Sequence, residues 1–418
     1  MVLGYFVMLR SVLFNLSGAW FLLLCFWLIW LIGCNGGLVV IGVGLSDLNY
    51  LMVMLTLLVV YFSCWLLDRW DDGVWVVLLL GGLMVCLFSF DSWLWFYVLY
   101  EGSVLPLLYG IMRSGGYLER YNSGYYLILY MAVFSMPLLI WVMWEYMLGG
   151  SVNMGWVVVS VELLWWLIML AFLVKVPIYG LHSWLPKVHV EAPMWGSVLL
   201  AAVLIKMGVY GVYLMMVEVS FYSSMNLMLY LSISVVGGLF SGYMCIENVD
   251  MKVIIAFSSI YHMMGGLWLV MMSPISGLWG VILMMLFHGL VSSGLFILVG
   301  IISVKVGGRN LMLMLGVSEL LGLLGVVVFI MLFMNMGFPI SFGFLGELEV
   351  FKSMSMVVVG FLFIFVFMMV GCVYNMMLFI NLVWNSGETM SLQVRYCILL
   401  VLLSFMSCFG LLLFSMIS

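Results

Sequence analysis

Long uncharged apolar runs dominate this chain. Residues 74–90, 121–144 and 219–246 carry no formal charge, and each approaches or exceeds the roughly 18 apolar residues that cross a bilayer as a helix. A transmembrane barrel needs segments of about ten residues that alternate apolar with polar, and these runs do not alternate. The pattern therefore predicts an all-α integral membrane protein.

Short charged clusters interrupt the runs: Asp68, Arg69, Asp71 and Asp72; Arg113, Glu119 and Arg120; Lys187, His189 and Glu191; Glu247, Asp250 and Lys252; Lys305 and Arg309. Cutting at these clusters gives about fourteen transmembrane segments, near residues 2–14, 18–33, 47–67, 74–90, 92–112, 121–145, 156–192, 193–217, 224–246, 252–273, 277–304, 312–354, 357–384 and 394–416. Two of them are too long for one pass and hold proline near the middle. Pro177 and Pro186 lie in 156–192, and Pro339 lies in 312–354 beside Gly337, Gly343 and Gly346. A proline deletes a backbone hydrogen bond, and at membrane depth the freed carbonyls must face protein or water. Each segment reads as a broken helix, and a pair of such breaks in two halves of a chain points to an ion pathway. A simple kink without function is the alternative.

Composition supports the class: 67% of the 418 residues are hydrophobic and 7% charged, more apolar surface than one soluble core buries. A net charge of −5 with twelve Lys and Arg offers no polybasic patch for nucleic acid and too few loop cations to set orientation. The eight cysteines sit singly in apolar runs, without CxxC or metal-ligand spacing, and read as packing residues. The first thirty residues hold one basic residue, Arg10, and no small-residue cleavage site or Arg/Ser-rich presequence, so the chain is expected to insert where it is made. Glycine clusters such as VGVYG lack the strand–loop–helix setting of a nucleotide fingerprint.

The informative charges are those inside the apolar segments: Glu101, Lys175, Lys206, His262, His288 and Glu347. A charged residue at a helix centre costs about 2.5–3.5 kcal/mol on insertion scales. Structural Glu–Lys pairing is one reading, but desolvation offsets most of the Coulomb gain of a buried pair; a proton relay is the other. Lysine suits a relay because its proton affinity responds to burial and to a nearby carboxylate. Changing that affinity a hundred- to thousand-fold corresponds to about 3–4 kcal/mol, and moving one charge against roughly 150 mV costs about 3.5 kcal/mol. The histidines are natural connectors, although Ser258, Ser259, Ser292 and Ser293 lie one turn away and a neutral, serine-bonded histidine is the bland alternative. Glu162 reads as a helix end; Asp47, Asp91, Glu145, Glu218 and Glu319 read as interfacial.

The stretch FLVKVPIYGLHSWLPKVHVEAP (172–193), followed by GSVLLAAVLIKMGVYG (196–211), resembles the proton-translocating antiporter-like subunits of respiratory complex I. ERYNSGYYLILY (119–130), DMKVIIAFSSIYHM (250–263), GVILMMLFHGLVSSGLF (280–296) and GFPISFGFLGELEVF (337–351) extend the likeness over about residues 90–355. The resemblance implies fourteen transmembrane helices with two inverted five-helix repeats, each holding a broken helix. The chain then divides into N-terminal helices (about 1–90), a first half-channel repeat (91–246), a second (247–385) and a C-terminal helix (386–418).

By the same resemblance Glu101 is the acid that modulates Lys175, Lys206 and His262 are central connectors, His288 is the next relay and Glu347 the terminal group. Implied too is a core subunit of the H+-translocating NADH:ubiquinone reductase of the mitochondrial inner membrane. It binds no cofactor itself; FMN, iron–sulfur clusters and ubiquinone sit on other subunits. Its neighbours are the other membrane-arm subunits, antiporter-like ones among them, and lipids such as cardiolipin. Rival readings are a subunit of a multi-subunit sodium/proton antiporter and a scaffold that no longer pumps. The sequence departs from the family pattern at Ile340, where a second proline usually follows Pro339, and in the diverged residues 1–46.

Overall fold

The computed structural model describes residues 45–67, 72–90, 92–115, 119–147, 162–218, 224–272, 277–314, 323–339, 341–355 and 360–383. Expectations that fall on the first two and the last apolar segments, on Cys25, Cys34, Cys397 and Cys408, on Asp91 and Glu319, and on Ile340 lie outside these residues. The described chain is helical, and its one β contact is an isolated bridge between Asp250 and Asn310.

In chain order the helices are α1 (Leu45–Leu66), α2 (Asp72–Ser89), α3 (Trp93–Gly102), α4 (Val104–Ser114), α5 (Arg120–Met147), α6 (Glu162–Lys175), α7 (Trp184–Glu191), α8 (Met194–Leu199), α9 (Ile205–Glu218), α10 (Ser224–Glu247), α11 (Met251–Met272), α12 (Leu278–Val306), α13 (Leu323–Asn335), α14 (Phe342–Ser355) and α15 (Gly360–Val383). A π-helical turn, Leu200–Leu204, joins α8 to α9 without interrupting the rod. Among the described residues nine spans are long and apolar enough to cross a membrane, and the chain is read as multi-pass. The apolar segments expected between 47 and 384 each correspond to one helix or to a helix pair.

Both long proline-bearing segments are broken. α6 stops at Lys175 and α7 resumes at Trp184; α13 stops at Asn335 and α14 resumes at Phe342. Gly180 (φ 93°) and Gly337 (φ 73°) take left-handed backbone in the two breaks, a conformation that side chains with a Cβ disfavour. The carbonyls left at the end of α6 find partners within the protein. Ala171 O accepts from Tyr100 Oη at 2.7 Å, Val174 O from the Trp184 indole at 3.0 Å, and Leu173 O from Ile178 N at 3.1 Å. This is the condition under which irregular backbone is tolerated at membrane depth. At the second break Ser341 Oγ accepts from Phe344 N at 3.3 Å and caps α14.

Burial sorts the helices. The α8–α9 rod is buried along its whole apolar window, and α11 and α12 nearly so, whereas only 28% of the α15 window is covered. A helix that is apolar all round belongs in the middle of a bundle. α12 does so here, packed on α11, α14, α8 and α1. α5 and α15 turn rows of large apolar side chains outward, including Ile140, Trp144, Met369 and Val373, as lipid-facing helices do. Close approach of α9 to α6 depends on Gly208, where a Cβ would meet Val176 Cγ2 at 2.7 Å and the Phe172 carbonyl at 2.9 Å.

Candidate functional site

Lys206 sits in the first turn of α9, directly after the π turn, and is wholly buried. Insertion of a π turn releases backbone groups from the regular ladder; Ile205 N bonds back to Leu200 O, and the Lys206 ammonium caps the Ala201 carbonyl at 2.5 Å. Its Nζ also lies 2.6 Å from His288 Nδ1 on α12. The two helices thus present a cation and an imidazole in direct hydrogen-bond contact.

From His288 the polar line continues to His262 on α11, the two rings lying 5.8 Å apart between centroids. His262 Nδ1 then faces Glu347 Oε1 on α14 at 3.7 Å. On the other edge of His262, Nε2 meets the Tyr374 hydroxyl of α15 at 3.3 Å. Asn335, the last residue of α13, donates to Tyr374 Oη at 3.2 Å and to Asn375 Oδ1 at 3.0 Å. All of these groups are buried. Lys206, His288, His262 and Glu347 therefore form one row across four helices.

The resemblance placed His262 beside Lys206 and His288 beyond it. The structure exchanges them: His288 touches Lys206, and His262 touches Glu347. The reason is helix packing, since α12 lies against the π turn beside Lys206 and α11 packs on α14, which carries Glu347. Ser258, Ser259, Ser292 and Ser293 each donate their hydroxyls to backbone carbonyls three residues earlier, and the histidine contacts described above go to other groups.

Lys175 closes α6, where the helix dipole favours a cation. Its ammonium donates to the Tyr100 carbonyl at 2.7 Å and sits 3.0 Å above the centroid of the Tyr100 ring. A desolvated cation–π contact of this kind is worth about 2 kcal/mol. Glu101 follows Tyr100 on α3, half-buried, and its Oε1 has no hydrogen-bond partner among the described residues. The acid and the lysine interact electrostatically, but Lys175 spends its hydrogen bond on the neighbouring carbonyl and not on the carboxylate. Pro106 lies in α4, four residues after Gly102, so it cannot donate to the Gly102 carbonyl; α3 and α4 meet at Ser103, which keeps helical dihedrals (φ −67°, ψ −25°) beside Glu101.

The second break mirrors this arrangement. Asn335 ends α13 as Lys175 ends α6, and Glu347 lies inside the half-helix that follows. A Cβ on Gly337 would collide with Glu347 Oε2, so this glycine leaves the space the carboxylate occupies.

Sequence reasoning missed Tyr374, Asn335 and Asn375, which had no charge to betray them. A buried Asn with an Asn–Tyr neighbour pair in an apolar run was the available signal. It also placed His189 and Glu191 in an interrupting cluster, whereas both are buried at the end of α7.

A family model described as NADH:quinone oxidoreductase/Mrp antiporter, TM, matches residues 91–374. The protein named NADH-ubiquinone oxidoreductase chain 4 of Polypterus ornatipinnis is 32% identical over 335 residues, 74% of this chain and 73% of that one. Its namesake in Mytilus edulis is 36% identical over 324 residues, 75% and 74% of the two chains. Among solved structures, a chain of respiratory complex I from Thermus thermophilus with bound NADH superposes with a TM-score of 0.79 at 23% identity, over 88% of this chain and 81% of that one. A chain of the Mrp complex from Dietzia sp. DQ12-45-1b superposes with a TM-score of 0.81 at 17% identity, over the same shares.

Proposed function

We infer the function from one premise: this chain belongs to the NADH:quinone oxidoreductase/Mrp antiporter family of transmembrane subunits. It is a membrane-arm subunit of respiratory complex I that translocates protons, driven by NADH oxidation and ubiquinone reduction on other subunits. The relatives named NADH-ubiquinone oxidoreductase chain 4 support this over a free-standing sodium/proton exchanger. By that likeness the chain resides in the mitochondrial inner membrane beside other antiporter-like subunits and lipids such as cardiolipin. FMN, iron–sulfur clusters and ubiquinone belong to its partners.

The observation that carries the reading is the buried row Lys206–His288–His262–Glu347. An isolated ionisable residue at this depth costs several kcal/mol, and a closely spaced row of them is what a proton pathway requires. A protonated Lys206 donates to neutral His288 Nδ1; the proton then passes over water to His262 and to Glu347, and each group returns to its starting state on reloading. Glu101 and Lys175 form the loading element. A carboxylate moving toward Lys175 favours the ammonium, and moving away favours release. The two breaks support fourteen helices in two inverted five-helix repeats, residues 91–246 and 247–385, flanked by residues 1–90 and 386–418.

In sealed vesicles holding the assembled complex, Lys175→Ala or Glu101→Ala lowers proton translocation per electron. An unchanged ratio in both variants removes the proposed loading element.

A further inference from the structure

We propose that Asn375 and Asn335, acting through Tyr374, are positioning residues that hold neutral His262 as the tautomer with its hydrogen on Nδ1, the nitrogen that faces Glu347. The inference deepens the relay reading above and rests on it. Its basis is a chain of buried hydrogen bonds whose direction is set at one end by a backbone carbonyl.

A carbonyl oxygen only accepts. Gly371 O, one turn before Asn375 on α15, takes a bond from the Asn375 side chain at 2.9 Å, so that amide turns Nδ2 to the carbonyl and keeps Oδ1 for its other partner. Asn335 lies 3.0 Å from Asn375 Oδ1 and therefore presents its own Nδ2. The second hydrogen of the same nitrogen goes to Tyr374 Oη at 3.2 Å. Reversing either amide would set two acceptor oxygens against each other, at Gly371 or between the asparagines. Tyr374 thus accepts from Asn335 and has one hydrogen left to give, and His262 Nε2 lies 3.3 Å away. A ring nitrogen that accepts carries no hydrogen, so the neutral imidazole keeps its hydrogen on the other one. That other nitrogen is Nδ1, 3.7 Å from Glu347 Oε1.

His262, Asn335, Tyr374 and Asn375 are all buried, where a fully satisfied polar network rigidifies its members. Tyr261 meets the Tyr374 ring edge-on, with planes 75° apart, and is itself stacked on Phe367. Its hydroxyl donates to the Phe367 carbonyl, so it braces the second phenol without competing for its hydrogen. The Asn335 carbonyl also interacts with the His262 ring. A hydrogen on Nε2 given to that carbonyl would leave the Tyr374 hydrogen with no acceptor among the described residues, a buried unpaired donor of the kind folded proteins avoid. The bonds of Asn375 run to Gly371 and Asn335, not to His262 or Glu347; whatever it does for the row it does through Tyr374.

The test is proton pumping in sealed vesicles holding the assembled complex, read beside electron transfer. Asn375→Val removes both polar ends of the side chain and slows pumping about two- to ten-fold, the scale of one hydrogen bond's preference. Asn375→Ser restores it, because a serine hydroxyl bonds back to the carbonyl four residues earlier and still accepts. In a Tyr374→Phe background Asn375→Val slows pumping no further, since the hydroxyl through which the asparagine acts is gone. Parent-like pumping in Asn375→Val overturns the inference; so does a further loss in the Tyr374→Phe background, or a serine variant as slow as the valine one, either of which makes Asn375 a packing element. Should Asn375→Val fail to assemble, the tautomer is read directly. With nitrogen-labelled histidine in the complex, the infrared spectrum of the parent minus that of His262→Gln isolates this ring; bands of the Nδ1–H form are expected, and bands of the Nε2–H form overturn the inference. Lys206→Met in the same vesicles separates the two ideas: normal pumping there removes the relay reading, and loss there beside parent-like pumping in Asn375→Val removes this inference alone.

Discussion

Lys206 makes three commitments at once, to the Ala201 carbonyl, to His288 and to a wholly buried position. Replacing it with an apolar side chain of similar volume removes a buried charge but leaves the Ala201 carbonyl and His288 Nδ1 without their partner, at about 1–3 kcal/mol for each buried polar group left unpaired. Lys206→Met is therefore expected to assemble with a lowered melting temperature while losing proton transfer, and melting of the purified complex beside a pumping assay checks the pair. Tyr374→Phe acts differently, because the hydroxyl serves both His262 Nε2 and Asn335 Nδ2. Its loss leaves buried polar atoms short of a partner and costs about 1–3 kcal/mol, seen as a lowered melting temperature together with slower pumping. The six charged or titratable members of the site were legible because lysine, glutamate and histidine in an apolar run are expensive. Tyr374 and Asn335 were not, since neutral polar residues in a membrane helix raise no such alarm, and the order of the two histidines depends on helix packing that spacing does not encode.

The helical elements hold these side chains through two irregularities. The breaks after Lys175 and Asn335 were readable from Pro177, Pro339 and the glycines, because proline and left-handed glycine have local consequences at any burial. The π turn Leu200–Leu204 was not readable: LLAAVL is ordinary helix-forming sequence, and the turn sits where α12 packs against it and Lys206 bonds the Ala201 carbonyl. Deleting Ala202 removes the extra residue that the π turn accommodates and restores regular α-helix, returning the Ala201 carbonyl that holds the Lys206 ammonium to the helical ladder, so such a variant is expected to keep its helix content by circular dichroism and to pump more slowly. Gly337→Ala tests the second break. A methyl there meets Glu347 Oε2 on a left-handed backbone that costs about 1–3 kcal/mol for other residues. The expected result is a destabilised complex whose pumping falls more than its electron transfer in uncoupled vesicles; equal retention of both functions contradicts the role given to this glycine.

Across the whole molecule, the buried rods α8–α9, α11 and α12 hold Lys206, His262 and His288, and α5 and α15 turn large apolar side chains outward. The apolar pattern revealed that class and nearly every span between residues 47 and 384, but not which rods lie inside, because runs such as 121–144 and 277–304 are equally apolar and differ only in what packs against them. The central claim is that the buried row conducts protons. It is tested most directly by the proton-to-electron ratio of the assembled complex in sealed vesicles, with Lys206→Met beside the parent protein during NADH:quinone turnover. The relay predicts a ratio below that of the parent, and a ratio equal to the parent's contradicts it.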